Sequence, residues 1–85
     1  MKVLKFYASW CGPCKGLTMT INGIKDQLNL PIEEVDIDEN TELAVKMNIR
    51  SVPTMVVVDD EGMPLRQKVG MASASEIVEF VNLSV

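Results

Sequence analysis

The sequence has no histidine and only two cysteines among its 85 residues. The missing histidine excludes Ser-His-Asp triads, Cys-His nucleophile pairs and zinc sites made of four cysteine and histidine ligands from one chain. Basic residues are also few, since 8 lysines and arginines stand against 12 acidic residues and leave a net charge of −4. This balance argues against nucleic-acid binding through the phosphate backbone. No apolar run approaches the ~20 residues of a membrane helix, so we expect no membrane span.

The length fits one small domain, and we expect a monomer that folds as a single unit over residues 1–85. An apolar fraction of 47% is ordinary for a globular protein with one core. A secreted scaffold of this size normally carries four or more cysteines. The first strand-like run follows the second residue directly, with no signal-peptide pattern before it. We therefore expect a reducing compartment, the cytoplasm.

The hydrophobic pattern predicts an α/β fold in the order βαβαββα. Strands are expected over residues 3–8, 32–37, 54–58 and 65–69, and helices over about 12–28, around 41–47 and from about 74 onwards. A strand–helix–strand unit needs a right-handed parallel crossover, whereas the last two strands are joined by a short turn. The result is a four-stranded mixed sheet with three helices distributed over its two faces.

Several residues predict where the helices begin and end. Asp38 or Asn40 is expected to cap the second helix, and Asn48 to adopt the left-handed conformation that ends it. The run from Ser73 to Glu76 has the spacing of a capping box, which opens the last helix.

The chemical centre is the run Trp-Cys-Gly-Pro-Cys at residues 10–14, where the first strand meets the first helix. Free N–H groups and the helix dipole favour a thiolate on Cys11, and its pKa is expected to lie in the range of ~3.5–7.5 seen for such cysteines. Cys14 lies about one turn later and can close a disulfide with Cys11. Gly12 allows a partner backbone to approach, and Pro13 costs little in the first turn.

This arrangement predicts thiol–disulfide exchange. Cys11 attacks a substrate disulfide to form a mixed disulfide, and Cys14 then attacks Cys11 and releases the reduced substrate. Two other interpretations remain open at this stage. The pair could be half of a metal site completed by a second chain or an external thiol, or it could be a structural disulfide that closes a very small loop.

The motif Trp-Cys-Gly-Pro-Cys-Lys at residues 10–15 resembles the active-site signature of the thioredoxin family. Ile-Arg-Ser-Val-Pro-Thr at residues 49–54 and Gly70 match two further family positions, and the resemblance runs from about residue 3 to 83. The family's usual N-terminal strand and helix have no counterpart, so the chain has the length of a glutaredoxin. The resemblance implies a thioredoxin-like fold and a cis peptide bond before Pro53.

The same resemblance implies roles for individual residues. Cys11 would be the nucleophile and Cys14 the resolving thiol. A client peptide would pair with the backbone near Val52, in a groove formed by Trp10, Gly12, Pro13, Val52, Pro53, Thr54, Gly70 and Met71. The plainer alternatives are a loop proline at Pro53 and ordinary exposed apolar side chains at Val52 and Met71.

By this resemblance the protein reduces disulfide-containing client proteins, with ribonucleotide reductase as a typical client. Its redox group is the cysteine pair itself, with no separate cofactor and no metal. An NADPH-dependent thioredoxin reductase would recharge it. Two alternatives remain: a glutaredoxin-like carrier recharged by glutathione, and a binding subunit whose thiols are incidental.

One departure from the family concerns charge near the cysteines. Lys5 stands where the family has a buried aspartate, and Glu34 stands where it has the neighbouring lysine. We expect Lys5 and Glu34 to interact beneath Cys14 and, together with Pro13, to tune the thiols. The alternative is a Lys5 that extends to solvent. The six carboxylates between residues 33 and 42 are expected to form a solvated face, or else a patch for a basic partner.

Overall fold

The computed structural model describes residues 1–84. Its elements follow the predicted order, with a short 3₁₀ helix, Lys25–Gln27, after the first helix. The strands are β1 Lys2–Tyr7, β2 Ile32–Asp36, β3 Thr54–Val58 and β4 Pro64–Val69, and the helices are α1 Gly12–Ile24, α2 Thr41–Lys46 and α3 Ala74–Asn82. The predicted strands and helices are therefore present, with shifts of at most one residue at the strand ends.

The strands form a single mixed sheet in the order β2-β1-β3-β4. β1 and β2 are parallel, whereas β3 is antiparallel to both β1 and β4. The predicted thioredoxin-like arrangement is confirmed. Because β1 lies between β2 and β3, it is an inner strand of the sheet. The loop that follows β1 therefore has a neighbouring strand on each side.

Both faces of the sheet are covered, which explains why the interior of β1 and all of β3 are buried, with Lys5 and Thr54 as the polar exceptions among apolar side chains. One face packs against α1 and α3, through Leu17, Ile21, Ile77, Phe80 and Val81. The other face, with Phe6 and Val56, packs against α2 and the segment that follows it, including Leu43 and Met47. Packing on both faces thereby fixes the end of β1, which leads into the loop after it, and the start of β3, which follows the loop before it.

The first helix is shorter than predicted. Regular α-helix ends at Ile24, and the expected continuation to Leu28 is wrong. The chain tightens into the 3₁₀ helix, and the Leu28 amide bonds to the carbonyl of Lys25 at 3.2 Å. Leu28 is half-buried and still packs against the core. Its apolar side chain therefore faces the core, as the helical spacing predicted, although the backbone there is not α-helical.

The helix ends agree with the sequence at two places and differ at one. Asn48 has a positive φ of 57°. The Ser73–Glu76 capping box has both of its hydrogen bonds, since each side chain accepts from the backbone amide of the other residue. Asn40 stands at the N-cap of α2, but it makes no side-chain capping bond; its amide donates to the Asp36 carbonyl instead. Asp38 does not cap this helix either, because its carboxylate bonds to Trp10. Over residues 1–84, no helix has the length and apolar character needed to cross a membrane.

Candidate redox site

The cysteine pair lies at the junction of β1 and α1. The Cys11 amide donates to the Ala8 carbonyl at 3.1 Å, which turns the chain sharply after β1. Cys11 is extended and occupies the N-cap of α1, while Pro13 stands in the first turn, where an N–H would have no helical acceptor. The local sequence therefore places a sulfur where a helix normally carries a capping oxygen.

The two sulfurs form a disulfide across one helical turn. Cys11 and Cys14 are bonded, with their Cα atoms 5.3 Å apart. The Cys14 amide points at the Cys11 sulfur, at 3.1 Å. Both residues are buried, in a small cluster with Ala8 that is bordered by Tyr7 and Val52. An amide donor and a helix N-terminus aimed at one sulfur stabilise negative charge on that atom when the disulfide is opened.

A second loop faces the disulfide from the start of β3. The Val52–Pro53 peptide bond is cis, as the resemblance implied. The carbonyl oxygen of Val52 lies 3.8 Å from the Cys11 sulfur. Pro53 is buried and Val52 is half-buried, and the Val52 side chain also packs against the cysteine cluster.

The remaining groove residues lie at different depths. Thr54 is buried and its hydroxyl donates to the Ser51 carbonyl at 2.8 Å, so its side chain is not presented to a client. Gly70 is joined to Pro53 by a backbone bond. Met71 is exposed and lies beside Gly16 of α1. Gly12 and Pro13 are exposed at the start of α1.

The exposed Trp10 has a partner that the sequence did not predict. Its side chain is 68% exposed, and its indole N–H donates to the Asp38 carboxylate at 3.1 Å. Asp38 comes from the loop after β2, and only the parallel pairing of β1 and β2 brings this loop beside residue 10. No local spacing in the sequence could have revealed this contact.

Beneath the site, Lys5 is buried and contacts Glu34, as the charge pattern predicted. The ammonium lies 2.8 Å from the Glu34 carboxylate and also donates to the hydroxyl of Thr18. Thr18 in turn donates to the Cys14 carbonyl at 3.1 Å. The sequence analysis missed Thr18, although its position one helical turn after Cys14 is the spacing at which a threonine bonds to a helix carbonyl. The effect of these contacts on the thiols remains a prediction.

Carboxylates also surround Tyr7 at the end of β1. Burial raises the pKa of Tyr7, and the negative charges of Asp36, Glu34 and Glu39 raise it further. The acidic run between residues 33 and 42 is mostly exposed, in line with the expected solvated face. Among residues 1–84, no three histidine, cysteine or acidic side chains are grouped so that they could hold a metal ion.

Comparison with known proteins agrees with this geometry over nearly the whole chain. The profile of the thioredoxin family matches residues 1–83. The thioredoxin of Bacillus subtilis is 35% identical over 79 residues, covering 91% of this chain and 75% of that protein. The thioredoxin of Rickettsia felis is 32% identical over 85 residues, covering 98% of this chain and 80% of its own length.

Solved structures show the same similarity. A mutant thioredoxin of Halobacterium salinarum superposes with a TM-score of 0.85 at 31% identity, covering 95% of this chain and 71% of that one. Thioredoxin 1 of Thermosipho africanus gives a TM-score of 0.80 at 25% identity, over 99% and 93% of the two chains. The chain therefore belongs to the thioredoxin family and is a thiol–disulfide oxidoreductase that reduces protein disulfides through Cys11 and Cys14.

Proposed function

We propose that this protein is the reductant in a cytoplasmic electron-transfer chain, with Cys11 as the nucleophile and an NADPH-dependent thioredoxin reductase as its electron donor. The main support for Cys11 as the nucleophile is the position of its sulfur, which accepts a hydrogen bond from the Cys14 amide at the N-terminus of α1 and borders the Val52 carbonyl. A sulfur so placed is stabilised as a thiolate and lies next to a backbone that a client can pair with. The electron donor is the one that membership of the thioredoxin family suggests.

The exchange takes place in two steps. The Cys11 thiolate attacks one sulfur of a client disulfide, the client S–S bond breaks, and the other client sulfur leaves as a thiolate. Cys14, having lost its proton, then attacks the Cys11 sulfur, and the mixed disulfide breaks. Two electrons pass to the client, whose two sulfurs take up protons, and the protein is left with the Cys11–Cys14 disulfide seen in the structure.

The Val52 backbone would align the client. Among residues 1–84, the Val52 amide has no protein acceptor, so it remains able to donate to an extended client strand. The exposed side chains of Trp10 and Met71 add apolar surface near the disulfide. Client specificity in this arrangement comes mostly from the sequence around the client disulfide, since the backbone contact itself is common to any peptide.

The electron donor can be tested with insulin as the disulfide substrate. We expect NADPH to be consumed in the presence of thioredoxin reductase, and no comparable turnover with glutathione plus glutathione reductase. Turnover only with glutathione would overturn the proposed donor and make the protein a glutaredoxin-like carrier. Whichever donor is active, insulin reduction driven by dithiothreitol shows that the cysteine pair is intact. Cys11→Ser provides the inactive control.

Clients can be identified with a trapping variant. Cys14→Ser removes the resolving thiol, so mixed disulfides through Cys11 should accumulate and be released by dithiothreitol. Cys11→Ser should trap nothing. Ribonucleotide reductase is the client to test directly, because the family resemblance implies it. If the same partners bind both serine variants without a covalent bond, the protein acts as a binding subunit and the assigned roles are wrong.

A further inference from the structure

A buried cation lies beneath the redox pair. Lys5 is in the middle of β1, and its side chain is 1% exposed. In the sheet it pairs with Glu34 on β2 and with Met55 on β3. Its neighbours along the strand, Leu4 and Phe6, belong to the apolar core. A lysine in such a position loses its hydration and must find other partners.

The ammonium interacts with two polar groups and one aromatic ring. It bonds to the Glu34 carboxylate at 2.8 Å, donates to the Thr18 hydroxyl, and lies 5.5 Å from the centre of the Tyr7 ring. The Glu34 side chain is 51% exposed, so water screens part of its charge, whereas Lys5 is shielded. The pair is therefore unequal: the field of the cation acts inside the protein more strongly than the field of its anion.

The direction of the bonds links Lys5 to Cys14. Thr18 has one hydroxyl proton, and it donates this proton to the Cys14 carbonyl at 3.1 Å. The same oxygen can then only accept from Lys5. Two successive hydrogen bonds thus connect the buried ammonium with the backbone of the resolving cysteine, through an interior where charges interact more strongly than in water.

Stability alone does not account for this arrangement. Replacing a buried ion pair by apolar groups of similar volume is often neutral or even stabilising. The strand around Lys5 is apolar, and a methionine would fit its pattern. The exposed pair of Lys2 and Glu33 joins the same two strands at 3.1 Å, so the β1–β2 contact does not depend on a buried charge.

We propose that Lys5, held by Glu34 and Thr18, is a positioning residue whose positive charge stabilises the reduced form of the Cys11–Cys14 pair relative to the disulfide. Two glutathione molecules can reduce the pair: the Cys11–Cys14 bond breaks, two electrons enter, glutathione disulfide forms, and the two glutathione thiol protons pass to the opened sulfurs or, where these remain thiolates, to solvent. The opened sulfurs carry negative charge as thiolates, and the buried cation favours that state. The proposal rests on the exchange chemistry of the pair, not on which reductase recharges it.

The test compares the two charges of the pair. Wild type, Lys5→Met and Glu34→Gln are equilibrated with glutathione buffers at about pH 8.5, where ordinary thiols are substantially ionised. The reduced fraction is read by alkylation and mass. We expect Lys5→Met to favour the disulfide at least threefold, about 15 mV for a two-electron couple. Glu34→Gln should shift the equilibrium towards the dithiol, by less, because Glu34 is half-exposed.

Two matched controls separate a local effect from a change of net charge. Lys2→Met removes a cation from the same strand, at the surface, and should leave the equilibrium within about 1.5-fold of wild type, because solvent screens its charge. Lys25→Met removes an exposed cation that lines the same pocket of about 330 Å³ as Lys5 and Glu34. This substitution should also leave the equilibrium nearly unchanged, because solvent screens an exposed charge.

Opposite shifts for Lys5→Met and Glu34→Gln support the proposal, because a merely structural role would not invert with the sign of the charge removed. Shifts in the same direction, or equal shifts in Lys2→Met, would overturn it. If Lys5→Met does not fold, Glu34→Gln decides alone, since its half-exposed side chain can be replaced without loss of packing. No shift towards the dithiol in that variant then contradicts the proposal.

Discussion

The Gly70 amide donates a hydrogen bond of 2.8 Å to the carbonyl oxygen of Pro53. This bond joins the end of β4 to the loop that borders the Cys11 sulfur. Gly70 has a positive φ of 88°, a conformation that residues with a Cβ adopt only with strain. The contact between the two loops near the disulfide therefore depends on a glycine at residue 70.

Gly70→Ala tests whether this contact shapes the client groove. We expect a loss of about 1–2 kcal/mol in the free energy of unfolding, because alanine is strained at this φ, and a higher KM for insulin. Gly62→Ala is the matched control, since Gly62 has a similar φ of 82° in the turn between β3 and β4, at the far end of the sheet. It should lose similar stability with KM unchanged. An equal rise in KM for both variants would refute a local role.

Asp38→Ala tests the orientation of Trp10. The indole would lose its hydrogen bond, and the side chain, already largely exposed, should become more mobile. Because Trp10 is the only tryptophan, a lower fluorescence anisotropy reports this directly. KM for insulin should rise by up to about fivefold, the equivalent of ~1 kcal/mol. Glu42→Ala changes the net charge equally, and the same effects in that variant would point to long-range charge instead.

Two positions on α1 test the packing of the core. Leu17 is 0% exposed and packs between the sheet and α3, whereas Met19 is 75% exposed on the opposite side of the helix. Leu17→Ala should lower the free energy of unfolding by about 2–5 kcal/mol. Met19→Ala should change it by less than about 0.5 kcal/mol. Chemical denaturation of both variants measures the difference, and equal losses would contradict the assignment of the buried face.

The pH dependence of stability tests the capping box of α3. The hydrogen bond from the Ser73 amide lowers the pKa of Glu76 below its ordinary value of 4.5, and the Ser73 side chain and Lys68 lower it further. A lowered pKa stabilises the fold above pH 4.5, and this contribution disappears as the pH falls through the lowered value. Glu76→Gln should therefore be less stable than wild type at neutral pH, and this difference in stability should vanish as the pH falls below the lowered pKa of Glu76.

The pH series distinguishes the charge from the cap itself. Ser73→Ala removes the hydroxyl that accepts a hydrogen bond from the Glu76 amide, and it should lower the free energy of unfolding by about 0.5–2 kcal/mol. If the difference in free energy of unfolding between Glu76→Gln and wild type stays constant from neutral to acidic pH, the charge of the Glu76 carboxylate contributes nothing beyond its hydrogen bond. Denaturant titrations of wild type and both variants at each pH supply the measurement.

The sequence predicts much of this fold because its signals are local. Apolar runs define β1 and β3, and the Ser73–Glu76 spacing correctly predicts the start of α3. The end of α1 was mispredicted because Leu28 reaches the core equally well from a 3₁₀ turn. Hydrophobic spacing reports which residues face the core and does not distinguish two helical backbones that present them to it.

The redox chemistry also follows from the sequence alone. A Cys-Gly-Pro-Cys run at the start of a helix already contains the nucleophile, the resolving thiol and the helix N-terminus that favours a thiolate. Tertiary structure decided what surrounds that run. The bonds of Trp10 to Asp38, of Gly70 to Pro53, and of Lys5 to Thr18 join residues from different elements. Such contacts depend on strand order and register, which bring distant parts of the chain together only after the sheet has formed.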